Sequence, residues 1–137
     1  MLNPVLVSSI IKNDVKRVPT CFDALMTPVI TPINYINRWY IYSGSSKEAC
    51  VLALIFINRL KIPIDLCNFH RVFAIANTVA TKIHDDDYRS MPYYADVAGI
   101  PMYECIYLEQ QFLIHIDFDL YVTRECYNFY YNMFFEE

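Results

Sequence analysis

Nine consecutive apolar residues, Ala49-Cys50-Val51-Leu52-Ala53-Leu54-Ile55-Phe56-Ile57, constrain this chain more than any other feature. Ser45, three residues ahead of Glu48, fits a capping box in which hydroxyl and carboxylate each satisfy a backbone amide at the other position. The run therefore reads as the middle of a helix from Ser46 to Lys61. A helix that is apolar all round is stable only when other helices cover most of its sides. The run is far short of the roughly 18 to 20 residues that span a bilayer, so that cover has to be protein. Only 2 of 137 residues are Gly, which argues against a turn-rich β sandwich, and 55% hydrophobic against 19% charged residues excludes a disordered chain.

Pro4, Pro19, Pro28, Pro32, Pro63, Pro92 and Pro101 fall between periodic segments and cut the chain into helix-sized pieces. Thr31-Pro32 is a helix start, since Thr caps free amides and Pro at the first position has no amide to waste. The first helix runs to Tyr42 and stops before Gly44. Asn68 caps a third helix ending at His84, whose small residues Ala74, Ala76 and Ala80 let neighbours approach closely. A short helix, Tyr93 to Ala98, ends at Gly99. A fourth long helix follows Pro101 to Ile116, and Thr123 caps a fifth from Arg124 to Phe135. The expected fold is all-α: five helices with one short additional helix over residues 31–137, and an irregular N-terminal lead, residues 1–30, packed on them.

Several function classes lose their support at this stage. Lys and Arg number 11 against 15 Asp and Glu, a net charge of −4, so no basic field points to nucleic acid or an anionic membrane. Cys21, Cys50, Cys67, Cys105 and Cys126 are odd in number and widely spaced, which favours a reducing, intracellular setting over a disulfide framework or a zinc site. The amino terminus lacks the basic start, apolar stretch and cleavage site of a secretion signal. Nucleophile-elbow, phosphate-loop and H-E-x-x-H motifs are missing as well.

Two polar clusters carry residue types suited to chemistry. His84-Asp85-Asp86-Asp87, with His70 and Asp117, invites comparison with the helical HD-type metal phosphohydrolases. His70 and His84 stand 14 residues apart; on one continuous helix that is about 21 Å at 1.5 Å per residue, too far to share an ion. A solvated acidic turn is the expected reading. His115-Ile116-Asp117-Phe118-Asp119 alternates polar and apolar residues, which on an extended connector aims the polar groups to one side and keeps Ile116, Phe118 and Leu120 in the core. What remains is Lys82 near the end of the third helix and Glu109 within the fourth, two charges in otherwise apolar helices. Such charges either snorkel to water or pair internally, or else they emerge together on a partner surface.

The order of segments resembles a cyclin box, and within that family the single-box P/U type related to the phosphate-pathway cyclins. The stretches that carry the resemblance are Leu52-Ala53-Leu54-Ile55-Phe56-Ile57-Asn58-Arg59-Leu60, Asn68-Phe69-His70-Arg71 and Ala80-Thr81-Lys82-Ile83-His84-Asp85-Asp86, followed by Tyr93-Tyr94-Ala95-Asp96-Val97-Ala98-Gly99-Ile100, Leu108-Glu109-Gln110-Gln111-Phe112-Leu113 and Asp117-Phe118. They recur in the family's order and cover Phe22 to Phe135. The resemblance implies a regulatory subunit with no catalysis of its own that binds and activates a cyclin-dependent protein kinase in cell-cycle or nutrient-linked control. Lys82 and Glu109 then bind the kinase around its C-helix, with Ile83, Leu113, Phe118 and Leu120 as apolar contacts.

The same resemblance implies a structural brace between Arg38 and the residue at 58, where this chain carries Asn in place of the family's Asp. Asp96 and Ala98 stand where the P-type pattern has Lys and Gly, and the substrate-docking motif of mitotic cyclins has no counterpart in the first helix. No cofactor, metal, small-molecule ligand, nucleic acid or membrane is expected as partner, and the place of action is the nucleus and/or cytoplasm. The alternatives are a cyclin-box adaptor that binds a protein without activating a kinase and, from another class, the HD-type phosphohydrolase.

Overall fold

A computed structural model describes residues 8–12 and 17–135. Within the lead, residues 1–7 and 13–16 lie outside this description, as do residues 136 and 137 of the helical unit. The chain forms α1 (Pro32–Ser43), α2 (Lys47–Arg59), α3 (Phe69–His84), α4 (Met91–Ala98), α5 (Met102–His115) and α6 (Arg124–Phe134), with a helical turn at residues 8–10. No strand occurs among the described residues.

Local chemistry sets most of the boundaries. Thr31 caps α1 by accepting from the Asn34 amide, with Pro32 in the first turn, and Gly44 ends it at φ 70°. Thr123 caps α6 by accepting from the Cys126 amide. Gly99 ends α4 at φ 74°, where only glycine avoids a Cβ penalty. Asn68 stands at the N-cap of α3 without capping it; its side chain accepts from the Asp65 amide and donates to the Pro63 carbonyl, tying the preceding loop.

The cap of α2 differs from the expected one. Ser46, not Ser45, accepts from the Ala49 amide, while Ser45 Oγ meets Thr81 Oγ1 at 2.8 Å. Asp85, the first residue of the acidic run, receives the Ser46 amide and hydroxyl at 3.0 and 2.6 Å. A carboxylate thus sits at the positive end of α2, the favourable end of the helix dipole. Asp86 and Asp87 are exposed, but Asp85 is a structural clamp between the end of α3 and the start of α2. Asp85→Ala is expected to lower stability by about 1 to 2 kcal/mol, the range for a lost N-terminal cap, in urea denaturation.

α3 is the centre of the bundle, touching α1, α2, α4 and α5, whereas α5 packs on α3 and α4 and α6 on α2. Ala74, Ala76 and Ala80 are buried along α3, which is why four neighbours fit around it. Three of its buried polar residues, Asn77, Thr78 and Thr81, each donate to the carbonyl four residues back. All of the apolar run of α2 is buried except Leu52, which is half-buried, so the inner-helix expectation holds. No helix among the described residues is long and apolar enough to cross a membrane.

The lead is joined to the bundle by charge. Arg17 donates to Asp23 at 2.6 Å and to Asp65, ahead of α3, at 2.8 Å. Arg17 hydrogen bonds hold Asp65 below its ordinary 3.8 despite burial, and for Asp23 burial pushes upward but the bonds from Arg17 and the Thr20 amide outweigh it. Both carboxylates are depressed, so their contribution is present above pH 4 and is lost as pH falls through the folded values. Urea midpoints should fall below pH 4, and Arg17→Met should flatten that acid limb; an unchanged limb would detach the cluster from stability.

Candidate functional site

α3 and α5 run side by side, and Lys82 near the end of one reaches Glu109 in the middle of the other. Lys82 Nζ donates to Glu109 Oε2 at 2.9 Å and to Oε1 at 3.3 Å, with the side chains 32% and 20% exposed. The two charges therefore pair internally and still open to solvent. Lys has three N–H donors and a carboxylate about four acceptor sites, so the pair keeps capacity for a further partner.

Uncovered apolar side chains occur on the same two helices and on the turn that follows α5. Ile83, next to Lys82, is 49% exposed, and Phe118 is 64% exposed. Leu113, one turn beyond Glu109, and Leu120 are half-buried against the core. The outer side of α5 adds Tyr103, Ile106, Tyr107 and Ile114, all exposed. Charge on α5 is confined to its edges: Glu109 pairs with Lys82, and Glu104 pairs with Arg71 of α3. Sequence reasoning missed this outer stripe, although its signal was present, because Tyr103, Ile106, Tyr107, Gln110 and Ile114 fall at helical spacing on the face opposite Cys105, Leu108 and Phe112.

Phe118 is not a core residue on an extended connector, as the alternation at residues 115–119 suggested. His115 is still helical, and Asp117 and Phe118 lie at φ 56° and 54°. The Phe118 amide bonds to the Leu113 carbonyl and the Asp117 amide to that of Ile114, the two bonds of a Schellman helix end with Asp in the left-handed position usually held by Gly. This reversal turns the Phe118 ring outward. Arg59 at the end of α2 fixes the turn by donating to the Asp119 carbonyl at 2.7 Å.

Arg38 and Asn58 do not meet, which corrects the expected brace. Arg38 Nη2 donates to the Val97 carbonyl near the end of α4 at 2.9 Å, and Asn58 Nδ2 donates to the Tyr130 hydroxyl of α6 at 2.7 Å. Each side chain points to the neighbour that packs on its own helix, α4 on α1 and α6 on α2, so the two lie on separate seams. Arg38 caps α4, and Asn58 ties α2 to α6.

The histidines sit apart. His70 is buried in the first turn of α3, its Nε2 2.7 Å from the Ile30 carbonyl and its ring edge-on to Tyr35. Burial lowers its affinity for a proton, partly offset by that carbonyl. His84 is exposed at the other end of the same helix. The described residues bring no three His, Cys, Asp or Glu together in a metal-ligating group.

Comparison with known proteins covers most of the chain. The family model described as Cyclin matches residues 7–120. Cyclin-U4-1 of Arabidopsis thaliana is 34% identical over 116 residues, covering 81% of this chain and 57% of its own length. Cyclin-P4-1 of Oryza sativa subsp. japonica is 32% identical over 116 residues, covering 81% and 55%. The PHO85 cyclin-like protein psl1 of Schizosaccharomyces pombe is 29% identical over 110 residues, covering 76% and 45%. The chain spans about half the length of the curated relatives it matches. With a family model matching most of an all-helical chain, and relatives of the P and U types among the proteins it resembles, this chain belongs to the cyclin family.

Proposed function

We propose that this chain is the regulatory subunit of a cyclin-dependent protein kinase, which it binds with Lys82 and Glu109 and with the apolar surface of Ile83, Leu113, Phe118 and Leu120. The observation that carries this reading is a solvent-open ion pair bridging α3 and α5 beside uncovered apolar side chains. An ion pair gives a partner orientation and register, and the apolar rim supplies the binding energy. One relative is named a PHO85 cyclin and another a PHO85 cyclin-like protein, which supports a kinase as the macromolecular partner.

Activation follows from differential binding. If the surface fits the kinase conformation whose C-helix glutamate pairs with the catalytic lysine, each increment of binding energy shifts the population toward that state. The cyclin performs no bond chemistry. The place of action on this reading is the nucleus and/or cytoplasm, where such kinases act.

The test is co-purification of the chain with each cyclin-dependent kinase of its own organism, followed by a phosphoryl-transfer assay. One kinase is expected to co-purify and gain activity. A stable complex without phosphoryl transfer would replace activation with an adaptor role, and the absence of any complex would remove the kinase reading.

A further inference from the structure

Only two of the seven prolines follow a hydroxyl side chain: Pro28 after Thr27 in the lead, and Pro32 after Thr31 at the start of α1. Such a pair is a distinctive peptide. The residue after the hydroxyl has no amide N–H, and the Thr before it is steered to an extended backbone. Proline-directed protein kinases read both features, because they take an extended segment with a free acceptor hydroxyl and a following residue whose nitrogen needs no partner.

The fold treats the two threonines differently. The Ala24 amide donates to the Cys67 carbonyl at 2.9 Å, and the Ile30 carbonyl lies 2.7 Å from His70 Nε2, so this segment is held at both ends against the start of α3. Between these anchors, residues 25–29 form no helix or strand and make no hydrogen bond among the described residues. Leu25, Met26 and Val29 are 105%, 82% and 101% exposed, and Thr27 is exposed among them. An arch that buries none of these four side chains can enter an active site without unpacking the core. Thr31 is exposed too, but its hydroxyl caps α1 by accepting from the Asn34 amide, and the helix that follows it buries Tyr35 and Ile36. The chain beyond Thr31 becomes extended only if α1 unwinds.

We infer that Thr27 is a phosphorylation site for a proline-directed protein kinase, and that Thr31 is not. Thr27 Oγ1 attacks the γ-phosphorus of ATP, and the ester O–P bond forms as the bond from that phosphorus to the ADP oxygen breaks. The hydroxyl proton passes to the Asp of the kinase's catalytic loop, and ADP leaves. The product adds about −1.5 to −2 charges at pH 7 to a stretch, residues 24–37, that has no charged side chain. An exposed apolar arch thereby becomes an anionic one. The enzyme here acts on the chain, whatever binds at Lys82 and Glu109.

The test incubates the full chain with ATP, Mg²⁺ and a mitogen-activated protein kinase, an enzyme that requires Pro after its acceptor, and locates phosphate by fragmentation mass spectrometry. Phosphate is expected on Thr27 with the melting temperature unchanged, because that hydroxyl holds nothing in the fold. Thr27→Ala should abolish incorporation, and Thr31→Ala should leave it intact. Pro28→Ala should slow it by about 10-fold or more, since the kinase then faces an unpartnered amide and an empty ring pocket. The proposal fails if no phosphate reaches Thr27, if Thr31 carries it instead, or if Pro28→Ala is modified at the parent rate.

Discussion

Exchanging the two charges, Lys82→Glu together with Glu109→Lys, is expected to leave the melting temperature within a degree or two of the parent and to weaken kinase binding by about 30-fold or more. The reasoning rests on exposure. A pair 32% and 20% exposed contributes about 0 to 1 kcal/mol to folding, and the exchange keeps opposite charges facing each other across α3 and α5. A partner reads polarity, so the reversed pair presents a carboxylate where, on the proposed reading, the kinase would meet an ammonium. Losing a desolvated charge contact costs about 2 to 5 kcal/mol, and 2 kcal/mol is already about 30-fold. Titration calorimetry or surface binding against the co-purifying kinase reads the affinity, and thermal unfolding reads the fold. A swap that binds like the parent would reduce the pair to an internal brace.

The single variant Glu109→Ala separates the same alternatives from the other side. It leaves Lys82 free to reach water, so stability should fall by no more than about 1 kcal/mol, while binding falls far more. A collapsed melting temperature would show that the bridge serves α3 and α5 alone.

How much of this was legible in the sequence depends on how local the cause is. The apolar run of α2, the Thr31-Pro32 start, Thr123 and the glycine stops at 44 and 99 act within a turn of where they stand, and the helices fell where they predicted. The choice between Ser45 and Ser46 as the α2 cap was not local. It is decided by Asp85, 39 residues away, which claims the Ser46 hydroxyl. Residues 115–119 read as extended because alternation is a strand signal, but their backbone is fixed by the way α5 terminates, with two left-handed residues that composition does not announce. Lys82 and Glu109 stood out as charges in apolar helices, yet only the packing of α5 on α3 shows that they meet. The Arg38–Asn58 brace came from family pattern alone, and the seams between α1 and α4 and between α2 and α6 overrule it.

The lead poses the largest question for stability, and Phe22→Ala is expected to destabilise the chain by about 3 to 5 kcal/mol, the usual range for a fully buried aromatic. Phe22 is 0% exposed and stands edge-on to Phe112 and His115 of α5, with ring centroids 6.3 and 6.0 Å away. Three other attachments converge on the same segment: the Ala24 amide on the Cys67 carbonyl at 2.9 Å, the Ile30 carbonyl on His70, and Arg17 on Asp65. All of them grip the start of α3 or the loop before it. A small domain has about 5 to 15 kcal/mol in total, so the variant would remove a large part of it. The lead is therefore proposed as part of one folding unit with residues 31–137, and its loss should be felt at α5, on which Phe22 packs and from which Glu109 projects. Urea denaturation at unchanged slope measures the effect, since a changed slope would report a lead already detached. A cost below about 1 kcal/mol would mean that the bundle stands without it, and the boundary at residue 30 would then mark a true domain edge.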